Sequence, residues 1–235
     1  FGLWLAREGF NNGYWKNWLQ IFDRARLMQM AKVNSDIMIR SILLEISFVS
    51  FLFLGSSFDD ATLAANQVLI QFLHITAYAL DGFAFAAEAL VGQALGAKNR
   101  PLFRRAVIMT SQWGLGSVIL MALAFFVFGN SIINIMTTAQ DVRTVGYVYL
   151  PWMVLAPLAG VAAWMLDGIF IGATRTADMR NMMFISFCVY LIALAILLPK
   201  YGNHGLWASL IIFSLARGIT LGFKYPRLEA SVGPN

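Results

Sequence analysis

Six long apolar stretches, separated by short polar turns, dominate the pattern of the chain. They run over residues 39–54, 63–97, 107–128, 146–172, 183–198 and 206–223. An α-helix of about 20 largely apolar residues is long enough to cross the hydrocarbon core of a bilayer. The pattern therefore predicts an all-α, polytopic membrane protein with six transmembrane helices.

Two of these stretches have features that a straight spanning helix lacks. The second has 35 residues and would be about 52 Å long as a helix, well above the thickness of a membrane. We expect it to tilt, to break or to project into the cytoplasm. The fourth contains Pro151 and Pro157, which remove backbone hydrogen bonds and predict a kink.

The remaining residues predict a simple domain organisation. Residues 1–35 form a cytoplasmic or interfacial linker with an amphipathic helix at 14–30, residues 36–225 form the six-helix lobe, and residues 226–235 form a cytoplasmic tail. The chain opens at Phe1, without an initiator methionine and inside an apolar segment. We interpret this as the possible end of a preceding helix and the chain as a fragment of a longer one.

Composition and charge support a membrane protein and assign its orientation. Hydrophobic residues make up 59% of the chain and charged residues only 12%, whereas a soluble domain carries about a quarter charged residues. Of the 17 basic residues, 14 lie in the segments of one side and two on the other, so both termini are predicted to be cytoplasmic. Arg217 lies inside the sixth stretch, where we expect it to snorkel to the inner surface. This distribution is topogenic and does not indicate nucleic-acid binding.

Several ionisable side chains lie inside apolar stretches, where each is a functional hypothesis because charge is costly in hydrocarbon. They are Glu45, His74, Asp81, Glu88 and Asp167. Gln67, His74, Asp81 and Glu88 recur every seven residues and so share one helix face. By distance from the inner loops, Glu45, Glu88 and Asp167 lie at a similar depth. The pattern favours a proton or cation path.

A structural interpretation of the same residues stays open. In it, Asp81 and Glu88 pair with Arg104, Arg105 or backbone donors, Asp167 pairs with a partner such as Arg175, Glu45 snorkels, and His74 is a satisfied bundle histidine.

No enzyme signature accompanies these residues. The sequence has no Walker A loop and no Gly-x-Ser-x-Gly motif, its two histidines are far apart, and its one cysteine, Cys188, lies in an apolar stretch. We therefore predict no enzymatic activity, no organic cofactor and no metal centre. The spacings Gly92-x-x-x-Gly96 and Gly168-x-x-x-Gly172 predict close helix contacts.

Several sequence blocks resemble the multidrug and toxic compound extrusion (MATE) family, and within it the DNA-damage-inducible F subfamily. The blocks are residues 33–40 (VNSDIMIR), 63–67 (LAANQ), 78–89 (YALDGFAFAAEA), 92–97 (GQALGA), 166–175 (LDGIFIGATR) and 179–181 (MRN). The resemblance covers nearly the whole chain after Val33.

The resemblance implies a bacterial inner-membrane transporter of two six-helix lobes, with this chain as the second lobe and the N-terminal lobe as its partner. Such transporters exchange protons or sodium for organic cations, drugs or other toxic compounds. Glu45 and Asp167 fall at or near positions at which relatives bind cations. This resemblance, together with its place in a span that follows Pro151 and Pro157, makes Asp167 the leading coupling acid. Asn66 and Gln67 join the candidate ion-coupling or substrate residues. The alternatives are a lipid-linked precursor flippase of the same superfamily or a non-transporting membrane interaction protein.

Overall fold

The computed structural model describes residues 23–233, which fold into six long α-helices joined by short turns. The helices are α1 (Arg24–Gly55), α2 (Asp60–Gly96), α3 (Arg100–Met136), α4 (Gln140–Gly172), α5 (Thr176–Tyr201) and α6 (Asn203–Ala230). All six are long and apolar enough to cross a membrane. The predicted fold class and number of spans are confirmed.

Each helix extends beyond the apolar stretch that predicted it. Helix α1 begins 15 residues before the predicted span at 39, so the part of the amphipathic segment 14–30 that lies within the described residues is continuous with α1; residues 14–22 lie outside them. Helix α2 is one unbroken helix of 37 residues, about 55 Å long. Helix α4 continues through Pro151 and Pro157. The domain boundaries predicted at 35 and 225 fall inside α1 and α6 and stay predictions.

Polar side chains define where the first three helices start. Asp23, Asp59 and Asn99 each cap a helix by accepting a backbone N–H of its first turn. The Thr62 hydroxyl donates to Asp59 at 2.5 Å and lowers the pKa of that carboxyl. Because the pKa is lowered in the folded state, this cap is retained at neutral pH and is lost only as the pH falls through it.

Helices α2 and α4 end in the same turn. After each Gly-Ala pair, one residue has positive φ: Lys98 at 52° and Thr174 at 55°. In both turns two backbone N–H groups bond back to the last helical carbonyls, as Asn99 does to Ala94 and Arg175 to Phe170. This is the Schellman arrangement. The chain thus contains a local structural repeat that its sequence does not make obvious.

The bundle is packed around two hydrophobic cores. One contains Phe51, Phe72 and Trp207, towards the α1–α2 and α5–α6 turns. The other contains Phe103 and Ile169, towards the α2–α3 and α4–α5 turns. Many large apolar side chains on the outside of the bundle are exposed, as expected for a protein whose solvent is lipid or an adjoining lobe.

Helix α2 lies directly against α4, and the small residues of α4 make this possible. A Cβ atom on Gly168 would lie 2.5 Å from the carbonyl oxygen of Ala84, and one on Gly172 would collide with the carbonyl oxygen of Glu88. The close contact predicted for the second glycine pair is confirmed. In the first pair, Gly92 approaches Gly172, whereas Gly96 has no neighbour within 4 Å of its Cβ position.

Candidate functional site: a buried arginine–aspartate cluster beside a cleft

Asp167 lies at the junction of the two cores and binds two arginines. Its Oδ2 atom accepts a hydrogen bond from Nη2 of Arg217 at 2.6 Å and another from Nη2 of Arg40. The three side chains come from α4, α6 and α1. One carboxylate therefore joins three helices that are distant in sequence.

The cluster is buried and its charges do not cancel. Asp167 is 6% exposed and Arg217 is 5% exposed, so water screens neither strongly. Two guanidinium groups face one carboxylate, which leaves one positive charge in excess. The Nε atoms of Arg40 and Arg217 are also buried without a hydrogen-bond partner in the part of the chain that the structure describes. Among the described residues, the cluster therefore has one positive charge without a counter-charge and two N–H donors without an acceptor.

Two expectations about these residues were wrong. The ion-pair partners of Asp167 are Arg40 and Arg217, not Arg175, which lies in the turn before α5. Arg217 does not snorkel to the surface, because its guanidinium is held inside by Asp167. A buried carboxylate binds a guanidinium more strongly than water-exposed groups would bind it.

A second ion pair lies one turn away on α1. Asp36, four residues before Arg40, is 2% exposed and accepts from Nη1 of Arg180 at 2.5 Å and from the Thr176 hydroxyl at 3.2 Å. Residues four apart share a helix face. One face of α1 is therefore fastened to α5 through Asp36 and to α4 and α6 through Arg40.

A cleft of about 370 Å³ opens next to the cluster. Arg217 contributes to its wall together with Glu45 of α1 and His74 of α2. The remaining lining is mainly apolar and includes four aromatic side chains, Phe48, Tyr78, Trp164 and Phe213. The Phe48 and His74 rings pack edge to face with centroids 5.9 Å apart. The cleft thus combines an acid, an imidazole and a guanidinium with apolar ring surfaces.

The four predicted residues of the α2 stripe do share one side of the helix, and that side is the less buried one. Gln67 is exposed, whereas His74, Asp81 and Glu88 are half-buried. The pairing of Asp81 and Glu88 with Arg104 or Arg105 does not occur, since neither acid is in a salt bridge within residues 23–233. Glu45 is exposed and is also in no salt bridge over this range. Of the predicted acids, only Asp167 is buried.

Asn66 lies in a buried hydrogen-bond network and is not open to solvent. It is fully buried and exchanges hydrogen bonds with Asn203 at 2.7 and 3.0 Å, and its Oδ1 also accepts from the indole N–H of Trp207 at 2.9 Å. This network ties the start of α2 to the start of α6. Its proposed part in ion or substrate binding stays a prediction.

We expect Asn66→Ala to lower stability by about 1–3 kcal/mol, because it leaves the buried donors of Asn203 and Trp207 without acceptors. Gln67→Ala, one residue further on and exposed, is the matched control and should be close to neutral. Thermal unfolding of both variants in detergent measures the difference. Equal melting temperatures would contradict the structural role of Asn66.

Sequence reasoning missed most of the residues that build this cluster. Arg40 and Arg180 were treated as topogenic charges, and Asp36 was noted only as part of a resemblance block. A signal was present: Asp36 and Arg40 lie four residues apart beside an apolar stretch, with the spacing of one helix face. Their partners, however, are more than 100 residues away.

Six packed helices, each long and apolar enough to cross a membrane, enclose the ionic cluster and define a polytopic membrane protein. The MatE family profile matches residues 37–197. The chain belongs to this family, whose members are transporters rather than enzymes.

Individual relatives agree with this assignment. The chain is 38% identical over 212 residues to DNA damage-inducible protein F of Escherichia coli K12, covering 87% of this chain and 44% of that protein. Its fold is similar to that of the Vibrio cholerae MATE transporter VcmN in the bent form, with a TM-score of 0.82 and 20% identity over 92% of this chain and 50% of VcmN. A mutant of VcmN matches with a TM-score of 0.81, 20% identity, and coverage of 90% of this chain and 49% of the mutant. The chain thus spans about half the length of these relatives.

Proposed function

We propose that this chain is the second lobe of an ion-coupled antiporter that exports organic cations, drugs or other toxic compounds. Its partner is an N-terminal lobe, and the assembly lies in a bacterial inner membrane with both termini cytoplasmic. The coupling ion is a proton or sodium. The single observation that carries this proposal is the cleft in which Glu45 and His74 lie beside the Arg40–Asp167–Arg217 cluster.

The lining of the cleft suits an amphipathic cation. Aromatic faces attract organic cations through their quadrupoles and bury apolar rings. The Glu45 carboxylate supplies the counter-charge, and it has no competing ion-pair partner within the described chain. A substrate cation and a coupling ion can therefore compete for the same acid, and such competition is a physical basis for exchange.

In this proposal Asp167 exchanges an arginine for the coupling ion. In the structure both arginines bind its Oδ2 atom, so a coupling cation that binds this atom displaces a guanidinium. We propose that the observed arrangement is the arginine-bound state, and that a second state of the cycle exposes Asp167 to the ion. The α2 residues Asp81 and Glu88, half-buried on the same helix as His74, extend the ion path along the bundle.

One observation supports the flippase alternative and another opposes it. The excess positive charge of the buried cluster would attract the pyrophosphate of a lipid-linked precursor. Glu45, however, lies in the same cleft as Arg217 and would repel that group. The mixed charges of the cleft favour the exporter.

We expect Glu45→Gln in the complete transporter to reduce substrate-induced proton or sodium release by about tenfold or more, since the amide keeps the size and loses the charge that binds the ion. Ion release on addition of a cationic dye to reconstituted vesicles is the measurement. Asp60→Asn removes the same charge from an exposed position in the first turn of α2, outside the cleft, and should leave release unchanged. Unaltered release by Glu45→Gln would remove Glu45 from the mechanism.

A further inference from the structure

Three arginines surround a surface pocket at the start of α3. Arg100, Arg104 and Arg105 occupy the first turns of this helix and line an open pocket of about 610 Å³ together with Ile108 and Glu229. The pocket lies at the predicted cytoplasmic end of the bundle. It is separate from the Asp167 cluster and shares no lining residue with the cleft.

The pocket carries a net positive charge. Arg100 approaches Glu229 at 3.4 Å, the one ion pair at this pocket within residues 23–233. Arg104 and Arg105 are exposed and make no salt bridge in the same range. Two cations therefore face the surface without a protein counter-charge, next to the N-terminus of α3, whose dipole adds to the positive potential.

An apolar groove continues from this pocket along the outside of the bundle. It has a volume of about 530 Å³, lies between α2 and α3, and shares Arg105 and Met109 with the basic pocket. Its lining includes Phe83, Leu90 and Trp113. The basic pocket thus opens directly into the apolar groove, which runs between α2 and α3.

We propose that this composite surface is a binding site for an anionic phospholipid. The guanidinium groups of Arg104 and Arg105 bind the phosphate, because planar guanidinium donors match phosphate oxygens in pairs. One acyl chain occupies the groove between α2 and α3. Topogenic selection explains why basic residues lie on this side, but it explains neither their convergence on one pocket nor the apolar groove that adjoins it. Charge complementarity and amphipathic shape together select a lipid over a soluble anion.

Native mass spectrometry of the purified complete transporter, equilibrated with equal amounts of phosphatidylglycerol and phosphatidylethanolamine, tests this site. We expect the wild type to retain phosphatidylglycerol in preference by about 25-fold, since each of the two unpaired arginines near the anionic headgroup adds roughly a fivefold factor. The triple variant Arg100→Gln, Arg104→Gln, Arg105→Gln should lose the preference. The triple variant Arg24→Gln, Arg26→Gln, Lys32→Gln removes equal charge from exposed positions on the same predicted side and should keep it.

A second variant tests the groove without changing charge. Ala86 lines the groove and is exposed, so Ala86→Trp should fill it and reduce retention of long-chain phosphatidylglycerol by a similar factor. Inorganic phosphate and glycerol phosphate, which lack acyl chains, should not displace the lipid at millimolar concentration. Equal retention of the two lipids by the wild type, equal loss of preference in both triple variants, displacement by phosphate alone, or full retention by Ala86→Trp would each overturn the proposal.

Discussion

Replacing Asp167 by asparagine is expected to destabilise the protein by about 3–5 kcal/mol, because it leaves the buried guanidinium of Arg217 and the partly buried one of Arg40 facing each other without a counter-charge. Asparagine keeps the size of the side chain, so the effect comes from charge and not from a cavity. Chemical or thermal denaturation in detergent measures it. Asp178→Asn is the matched control: its partner Lys224 is 3.8 Å away and both side chains are partly exposed, so the expected loss is below about 1 kcal/mol.

A variant that removes every charge of the cluster separates the effect of Asp167 on stability from its role in transport. The triple variant Arg40→Gln, Asp167→Asn, Arg217→Gln removes all three charges and should recover most of the lost stability, since no buried charge is left unpaired. In the complete transporter it should still fail to export substrate. An Asp167→Asn protein of unchanged stability would contradict the ionic cluster, and a stable triple variant with normal export would remove Asp167 from ion coupling.

Gly168→Ala is expected to destabilise the α2–α4 contact by about 2–3 kcal/mol, because overpacking forces backbones apart. The new Cβ would lie 2.5 Å from the carbonyl oxygen of Ala84, and a backbone atom cannot move aside as a flexible side chain can. Unfolding in detergent, with cysteine cross-linking between α2 and α4 to follow their separation, measures the effect.

The control for Gly168→Ala is another helical glycine with space around it. Gly82 has no atom within 4 Å of its Cβ position, so Gly82→Ala should be neutral or stabilise by up to about 1 kcal/mol through helix propensity. A Gly168→Ala protein as stable as Gly82→Ala would show that the two helices are not in backbone contact.

The heptad stripe illustrates how far sequence reasoning reached at the candidate site. Periodicity placed His74, Asp81 and Glu88 on one side of α2, and the structure has them there because a helix determines the angular position of every residue on it. Depth counting placed Asp167 at the same level as Glu45 and Glu88. It did not distinguish the buried Asp167 from the exposed Glu45, because burial depends on the helices that pack around each residue.

The sequence by itself determined the six spans, the length of α2 and the close approach of glycines on α4, since these follow from hydrophobic length and side-chain size along one segment. The ends of the helices were less certain, because polar first turns such as that of α3 are helical yet not apolar. Only the tertiary structure decided that Asp167 binds Arg40 and Arg217, which are 127 and 50 residues away. A charge in an apolar interior selects its partner by proximity in space and not by separation along the chain, so the pairing emerges only when the helices have packed.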